Sequence, residues 1–216
     1  MRMRTAWLAS LAVLVLGAAT AVAQVPSSVG RIEYLEGDVR INGVVADLGQ
    51  QVEVGDWVQT GAKGAVDIVF DRTNVFRLGS NTVAVLNLGE SRQDVDLKFG
   101  TMAAVFDKVR TLSGRGTFNV RTPTGAGGVR GTTFFFRVLD SDTTYVCTCN
   151  GSLELSPFGR DSFLETAAEH RAYYFRETGD GTVVVEDGDE RFHDNESLNR
   201  LADVVGVTIP WGELPE

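Results

Sequence analysis

Apolar and polar residues alternate at a period of two through the middle of the chain. Arg31-Ile32-Glu33-Tyr34-Leu35, Ala65-Val66-Asp67-Ile68-Val69-Phe70, Thr82-Val83-Ala84-Val85-Leu86 and Phe134-Phe135-Phe136-Arg137-Val138-Leu139 read as strands, several with a single buried face. Between them, Gly37-Asp38, Asn42-Gly43, Gly55-Asp56, Thr60-Gly61 and Asn150-Gly151 predict turns, where glycine accepts positive φ without penalty. Short strands with frequent turns predict an all-β fold: a short-stranded antiparallel β sandwich or roll, or a β-solenoid. Gly37, Gly43, Gly49, Gly55 and Gly61 recur every six residues, the spacing of a hexapeptide β-helix. The residues before them (Glu36, Asn42, Leu48, Val54 and Thr60) keep no aliphatic rung position, so the spacing reads as tight hairpins.

The pattern changes near the C-terminus. Glu177-Thr178-Gly179-Asp180-Gly181 predicts a hairpin turn feeding a strand over Thr182-Val183-Val184-Val185-Glu186. Asp194 then stands where a carboxylate caps a helix, and Leu198, Leu201, Ala202 and Val205 follow at i, i+3, i+4 and i+7 on one face. A small C-terminal helix is expected there, with Ile209-Pro210-Trp211-Gly212 as a loose tail.

The first 23 residues carry a different signal. Arg2 and Arg4 precede an apolar run from Ala6 to Ala21, and Ala21-Val22-Ala23 supplies small residues at cleavage positions. This predicts a signal peptide cut near Ala23, no membrane span in the mature chain, and a periplasmic or secreted product. The expected organisation is signal peptide 1–23, β domain 24–160, and C-terminal extension 161–216 with a hairpin and the short helix. Without Arg2 and Arg4 the 20 basic residues fall to 18 against 29 acidic ones, a net charge of −11. Such a surface repels phosphate backbones, so nucleic acid is not an expected partner.

One constellation resembles a known family. Phe118-Asn119-Val120-Arg121-Thr122-Pro123, then five residues, then Val129-Arg130-Gly131-Thr132-Thr133-Phe134 resembles the signature of FecR domains. Gly55-Asp56-Trp57-Val58-Gln59-Thr60-Gly61, Leu78-Gly79-Ser80-Asn81-Thr82 and Asn150-Gly151-Ser152-Leu153-Glu154-Leu155 are similar to its other segments, in order, over roughly 30–155. Asp71-Arg72-Thr73 departs from the family's D-G-S turn. The resemblance implies a FecR-like β domain that is non-enzymatic and serves binding or signalling in the cell envelope, with an envelope protein or glycan as partner. Classical FecR regulators join a cytoplasmic sigma-factor-binding segment, one span and a periplasmic domain. Here a cleavable leader directly precedes the β domain, so neither anti-sigma activity nor transporter contact is expected. Thr122, Pro123, Arg130, Gly131 and Thr132 are the motif's candidate residues, ligand-binding or structural. Pro123 fixes φ, and Gly125, Gly127 and Gly128 permit a sharp or closely packed crossover in a small-residue loop. The planar fork of Arg130 suits bracing that loop, or alternatively a ligand anion.

Two Cys and two His complete the candidate chemistry. Cys147 and Cys149 lie two apart in a strand-like stretch, so both thiols share a face, and His170 and His193 lie near element ends. Two thiolates and two imidazoles satisfy tetrahedral zinc, or copper or iron, which makes a metal-binding envelope protein the alternative reading. Packed small residues, a strained disulfide, and intermolecular or redox thiols stay open beside it. Otherwise no cofactor is expected. Asp140-Ser141-Asp142-Thr143 mimics an aspartate-nucleophile box, but that chemistry needs a parallel α/β sheet, so a solvated turn is expected. Gly125-Ala126-Gly127-Gly128-Val129-Arg130 lacks the last glycine and the helix of a dinucleotide loop, and no G-x-S-x-G elbow occurs.

Overall fold

The protein was analysed as a computed structural model that describes residues 30–70, 73–88, 93–106 and 118–214. The expected signal peptide and its cleavage site, and Asp71 and Arg72, lie outside the described residues, as does the side chain of Arg130. Among the described residues, fifteen strands and one helix follow in order: β1 (Gly30–Glu36), β2 (Val39–Ile41), β3 (Val44–Val45), β4 (Gln51–Val52), β5 (Asp56–Thr60), β6 (Ala65–Phe70), β7 (Asn74–Leu78), β8 (Val83–Leu88), β9 (Gln93–Phe106), β10 (Phe118–Thr122), β11 (Gly125–Val138), β12 (Thr143–Pro157), β13 (Phe163–Ala167), β14 (Arg171–Glu177), β15 (Val183–Gly188) and α1 (Asn195–Asp203).

The strands form one continuous sheet rolled on itself. Strands β9, β11 and β12 run 14, 14 and 15 residues and belong to both layers. Their first-layer halves join β3, β2, β5, β8, β10 and β13, and their second-layer halves join β4, β1, β6, β7, β14 and β15. All pairings are antiparallel except β9 with β10. Gly100, Gly131 and Gly151, all with positive φ, mark where the three long strands change layer. The architecture is thus the expected all-β roll with a small helix. Three strands are much longer than short runs between turns suggested.

Alternation accounts for the core. Val66, Ile68, Phe76, Leu78, Met102, Ala104, Phe134, Phe136 and Val146 point inward from the second layer, against Val58, Leu86, Val95, Leu97, Phe118, Val120 and Leu153 from the first. Their intervening neighbours face the other way. Val75, Val105, Phe135, Tyr145, Cys147, Cys149 and Ala172 make a second apolar cluster on the outer face of the second layer, covered by Leu198, Leu201, Ala202 and Ile209.

Three local expectations change. Residues 125–128 are strand, not a loop, because the turn between β10 and β11 is made by Pro123-Thr124 alone. Of the two readings of these glycines, close packing is the one seen at Gly127, where a Cβ would stand 2.6 Å from the Phe136 ring. Asn150-Gly151 is likewise no turn but a bend within β12, with Gly151 at φ 119°. The tail is docked rather than loose. Ile209 is buried, and the Asn150 side-chain amide reaches the carbonyls of Pro210 and Glu213 at 3.1 and 3.2 Å.

A candidate Cys2His2 metal centre

Cys147 and Cys149 occupy successive outward positions of β12, which brings both thiols to the covered outer face of the second layer. They are buried free thiols with sulfurs 3.6 Å apart. His170 sits just before β14, where its N–H donates to the Cys149 carbonyl (3.1 Å). His193 arrives from the linker between β15 and α1. Its ring stacks on Phe135, with centroids 4.3 Å apart and planes 9° off parallel. The linker is clamped: Tyr145 Oη donates to the Asp189 carbonyl (3.0 Å) and accepts the Arg191 N–H (3.1 Å). The Arg137 guanidinium lies 4.3 Å over the Phe192 ring, and Phe192 holds φ at 70°, a left-handed conformation costly for a bulky residue. Capping by Asp194, whose carboxylate accepts the Ser197 N–H (2.7 Å), starts α1 immediately after His193.

The inward atoms are Cys147 Sγ, Cys149 Sγ, His170 Nδ1 and His193 Nε2, all within 4.8 Å of one another. Zinc bonds of about 2.3 Å to sulfur and about 2.05 Å to nitrogen put tetrahedral ligand atoms about 3.8 Å (S to S), about 3.6 Å (S to N) and about 3.4 Å (N to N) apart. The observed separations are 3.6 Å between sulfurs, 3.6 Å for Cys147–His170, 3.2 Å for Cys149–His193, and 3.2 Å between the two ring nitrogens. The donor set and its spacing fit a tetrahedral soft-borderline cation.

The outer partners fix the tautomers. His170 Nε2 faces two acceptors, Asn195 Oδ1 at 2.6 Å and Glu190 Oε1 at 3.5 Å, so it carries a proton. His193 Nδ1 faces the Arg191 carbonyl at 2.7 Å and carries one too. In the neutral rings, Nδ1 of His170 and Nε2 of His193 therefore carry lone pairs that face each other, a repulsion that either a proton or a metal ion between them relieves.

With only protons available, the cluster polarises. The hydrogen bond from Cys149 pulls the Cys147 thiol well down, against burial and helped by both histidines. Desolvation pushes the wholly buried Cys149 up. Burial lowers His170, but its bonds to Cys147 and Asn195 and the charges of Cys147 and Glu190 outweigh it, raising it to about 9.

All four residues singled out in the sequence for metal thus meet in space. Asn195, Glu190, the Arg191 carbonyl and Trp211, whose indole stacks on His170 at 5.4 Å, were not legible beforehand. Asn195 two residues after His193, at a helix start, is the one signal that could have suggested such support. Of the motif residues, Thr122 and Thr132 bond to backbone away from this cluster. Thr122 Oγ1 donates to the Gly125 carbonyl (3.0 Å), closing the hairpin with Pro123, and Thr132 Oγ1 donates to the Asn150 carbonyl (2.7 Å) beside the Gly131 bend. Asp140 and Asp142 are in an exposed turn.

The fold and this cluster define an all-β domain with an extension that closes a Cys2His2 site. Residues 56–154, just under half of the chain, match the family described as FecR protein. Two crystal structures of a candidate anti-sigma factor from Parabacteroides distasonis ATCC 8503, at 1.65 and 2.50 Å resolution, are similar at 13% identity and a TM-score of 0.49. The match covers 62% of this chain and 60% of that one. No curated protein matches. Cys147 and Cys149 fall inside the family span, whereas His170 and His193 lie beyond it.

Proposed function

We propose that this is a non-enzymatic, metal-holding FecR-family module of the cell envelope, with one zinc ion bound by Cys147, Cys149, His170 and His193. The observation that carries the reading is the convergence of four donor atoms, with His170 Nδ1 and His193 Nε2 3.2 Å apart beside two sulfurs at tetrahedral spacing. Four protein ligands fill the coordination sphere of zinc and leave no position for substrate, the mark of a structural rather than a catalytic site. Among the described residues no helix is long and apolar enough to cross a membrane.

The match of residues 56–154 to the FecR family supports a signalling role, and the partner we propose is an envelope protein or glycan. The metal centre stabilises that module rather than performing a reaction. Elemental analysis of protein exported into its own compartment tests the reading: about one zinc per chain is expected. Protein that folds normally with no metal, and takes up none on titration with Zn²⁺, would remove it.

A further inference from the structure

We infer that the metal ion is a latch, tying the C-terminal segment 189–214 over the outer face of the second sheet layer, so that metal loss uncovers that face. This inference rests on the metal reading above and concerns what the ion regulates.

The ligands are divided between two bodies. Cys147 and Cys149 belong to β12 and His170 to the entry of β14, both strands inside the sheet. Only His193 belongs to the segment that follows the last strand. Asn195, also on that segment, orients His170 across the same boundary. A bound ion therefore joins cover to sheet, and the main core does not depend on the cover, since no residue beyond Val185 of β15 packs in it.

The cover is weak by itself. Helix α1 has nine residues, shorter than an isolated helix requires in water, and buries only Leu198, Leu201 and Ala202. Beneath it lies an apolar strip that includes Val75, Val105, Phe135 and Ala172. Phe192, with its left-handed backbone, forms a strained hinge just before His193, and such strain persists only while neighbours hold it. Because docking and metal binding share His193, each must strengthen the other by the same factor.

Hydrogen exchange of the full-length chain, with Zn²⁺ and after chelation, reads this directly. Removing Zn²⁺ should speed exchange at residues 195–203 by about ten-fold or more while β6 and β7 stay protected. If Zn²⁺ binds and its removal leaves α1 equally protected, the latch is refuted and the metal reading stands. If removal unfolds the whole sheet, the latch is also refuted, because the ion then holds the fold and not a cover. If no Zn²⁺ binds, both readings fall. A second measurement uses Leu201→Ala, which touches no ligand. Reciprocity predicts that it weakens Zn²⁺ binding about 5- to 150-fold while the sheet's circular dichroism is unchanged. Unaltered affinity in a folded variant would overturn the latch.

Discussion

Asn195 Oδ1 lies 2.6 Å from His170 Nε2, a contact that holds the imidazole with its Nδ1 turned to the two sulfurs. Partners of this kind fix both ring orientation and tautomer, and their loss weakens metal binding about 10- to 100-fold. Asn195→Ala is therefore expected to lower Zn²⁺ affinity by that range in competition with a chromophoric chelator. Asn195→Asp, which keeps the acceptor at a helix start that favours negative charge, should hold affinity close to the parent's. Equal affinity in Asn195→Ala and the parent would show that His170 needs no such partner.

The thiols give a spectroscopic prediction. Cobalt(II) in place of zinc should produce the strong visible bands of a tetrahedral ion and a near-ultraviolet sulfur-to-metal band. Cys147→Ser and Cys149→Ser should each remove about half of the sulfur band, because each removes one of two thiolates. His193→Ala should retain the sulfur band while the visible envelope changes. A sulfur band indifferent to either serine substitution would place the ion elsewhere.

Much of this centre was legible in the sequence for a simple reason. Strand alternation alone puts Cys147 and Cys149 on one face, and the chain offers only two histidines to meet them. The support was not legible, because it comes from contacts between segments far apart in the chain, such as Trp211 on His170 and Phe135 on His193. The helix was predictable down to its cap, since capping and a 3.6-residue period are local. The docked tail was not, because Ile209 and Trp211 find their partners only once β12 and β14 are side by side. Glycine was the other source of error. Gly151 was read as a turn marker, whereas it bends a strand that continues through it, as Gly131 does in β11. A bend and a turn need the same backbone freedom, so residue type alone does not separate them.

Asp67 and Arg77 pair across β6 and β7 through two bonds of 2.6 Å, the carboxylate wholly buried and the arginine side chain 28% exposed. Their shifts pull in opposite senses. The bond to Asp67 holds Arg77 more firmly charged, but burial outweighs both bonds at Asp67 and raises its carboxyl. Because the carboxylate is the more deeply desolvated partner, burial decides. A carboxyl with a raised folded-state pKa stabilises fully below its unfolded value near about 3.9 and loses that contribution as pH rises through the folded value. Arg77→Met, leaving the carboxylate unpaired, should cost about 3–5 kcal/mol at neutral pH in urea unfolding. The loss should shrink as pH falls and the orphaned carboxyl takes up a proton. Asp67→Leu with Arg77→Met should lie within about 1 kcal/mol of the parent or above it. A loss for Arg77→Met that does not change with pH would contradict this assignment.

Gly151 supplies the sharpest test of the rolled sheet, because two separable effects act there. Its φ of 119° suits only glycine, and a Cβ would fall 2.0 Å from Thr132 Oγ1 and 2.9 Å from Thr132 Cα, so rotating the threonine cannot relieve the clash. Gly43 has φ 81° with nothing within 4 Å of a Cβ, so it isolates the backbone cost. Gly43→Ala is expected to lose about 1–2 kcal/mol, the left-handed penalty alone. Gly151→Ala should lose clearly more, about 3 kcal/mol or above, as strain and displaced backbone add. Combining Gly151→Ala with Thr132→Ala removes the hydroxyl and gives back only part of the loss, since Thr132 Cα still lies within 3 Å of the new Cβ. Equal losses at Gly43 and Gly151 would mean that β11 and β12 do not cross between layers at this close approach.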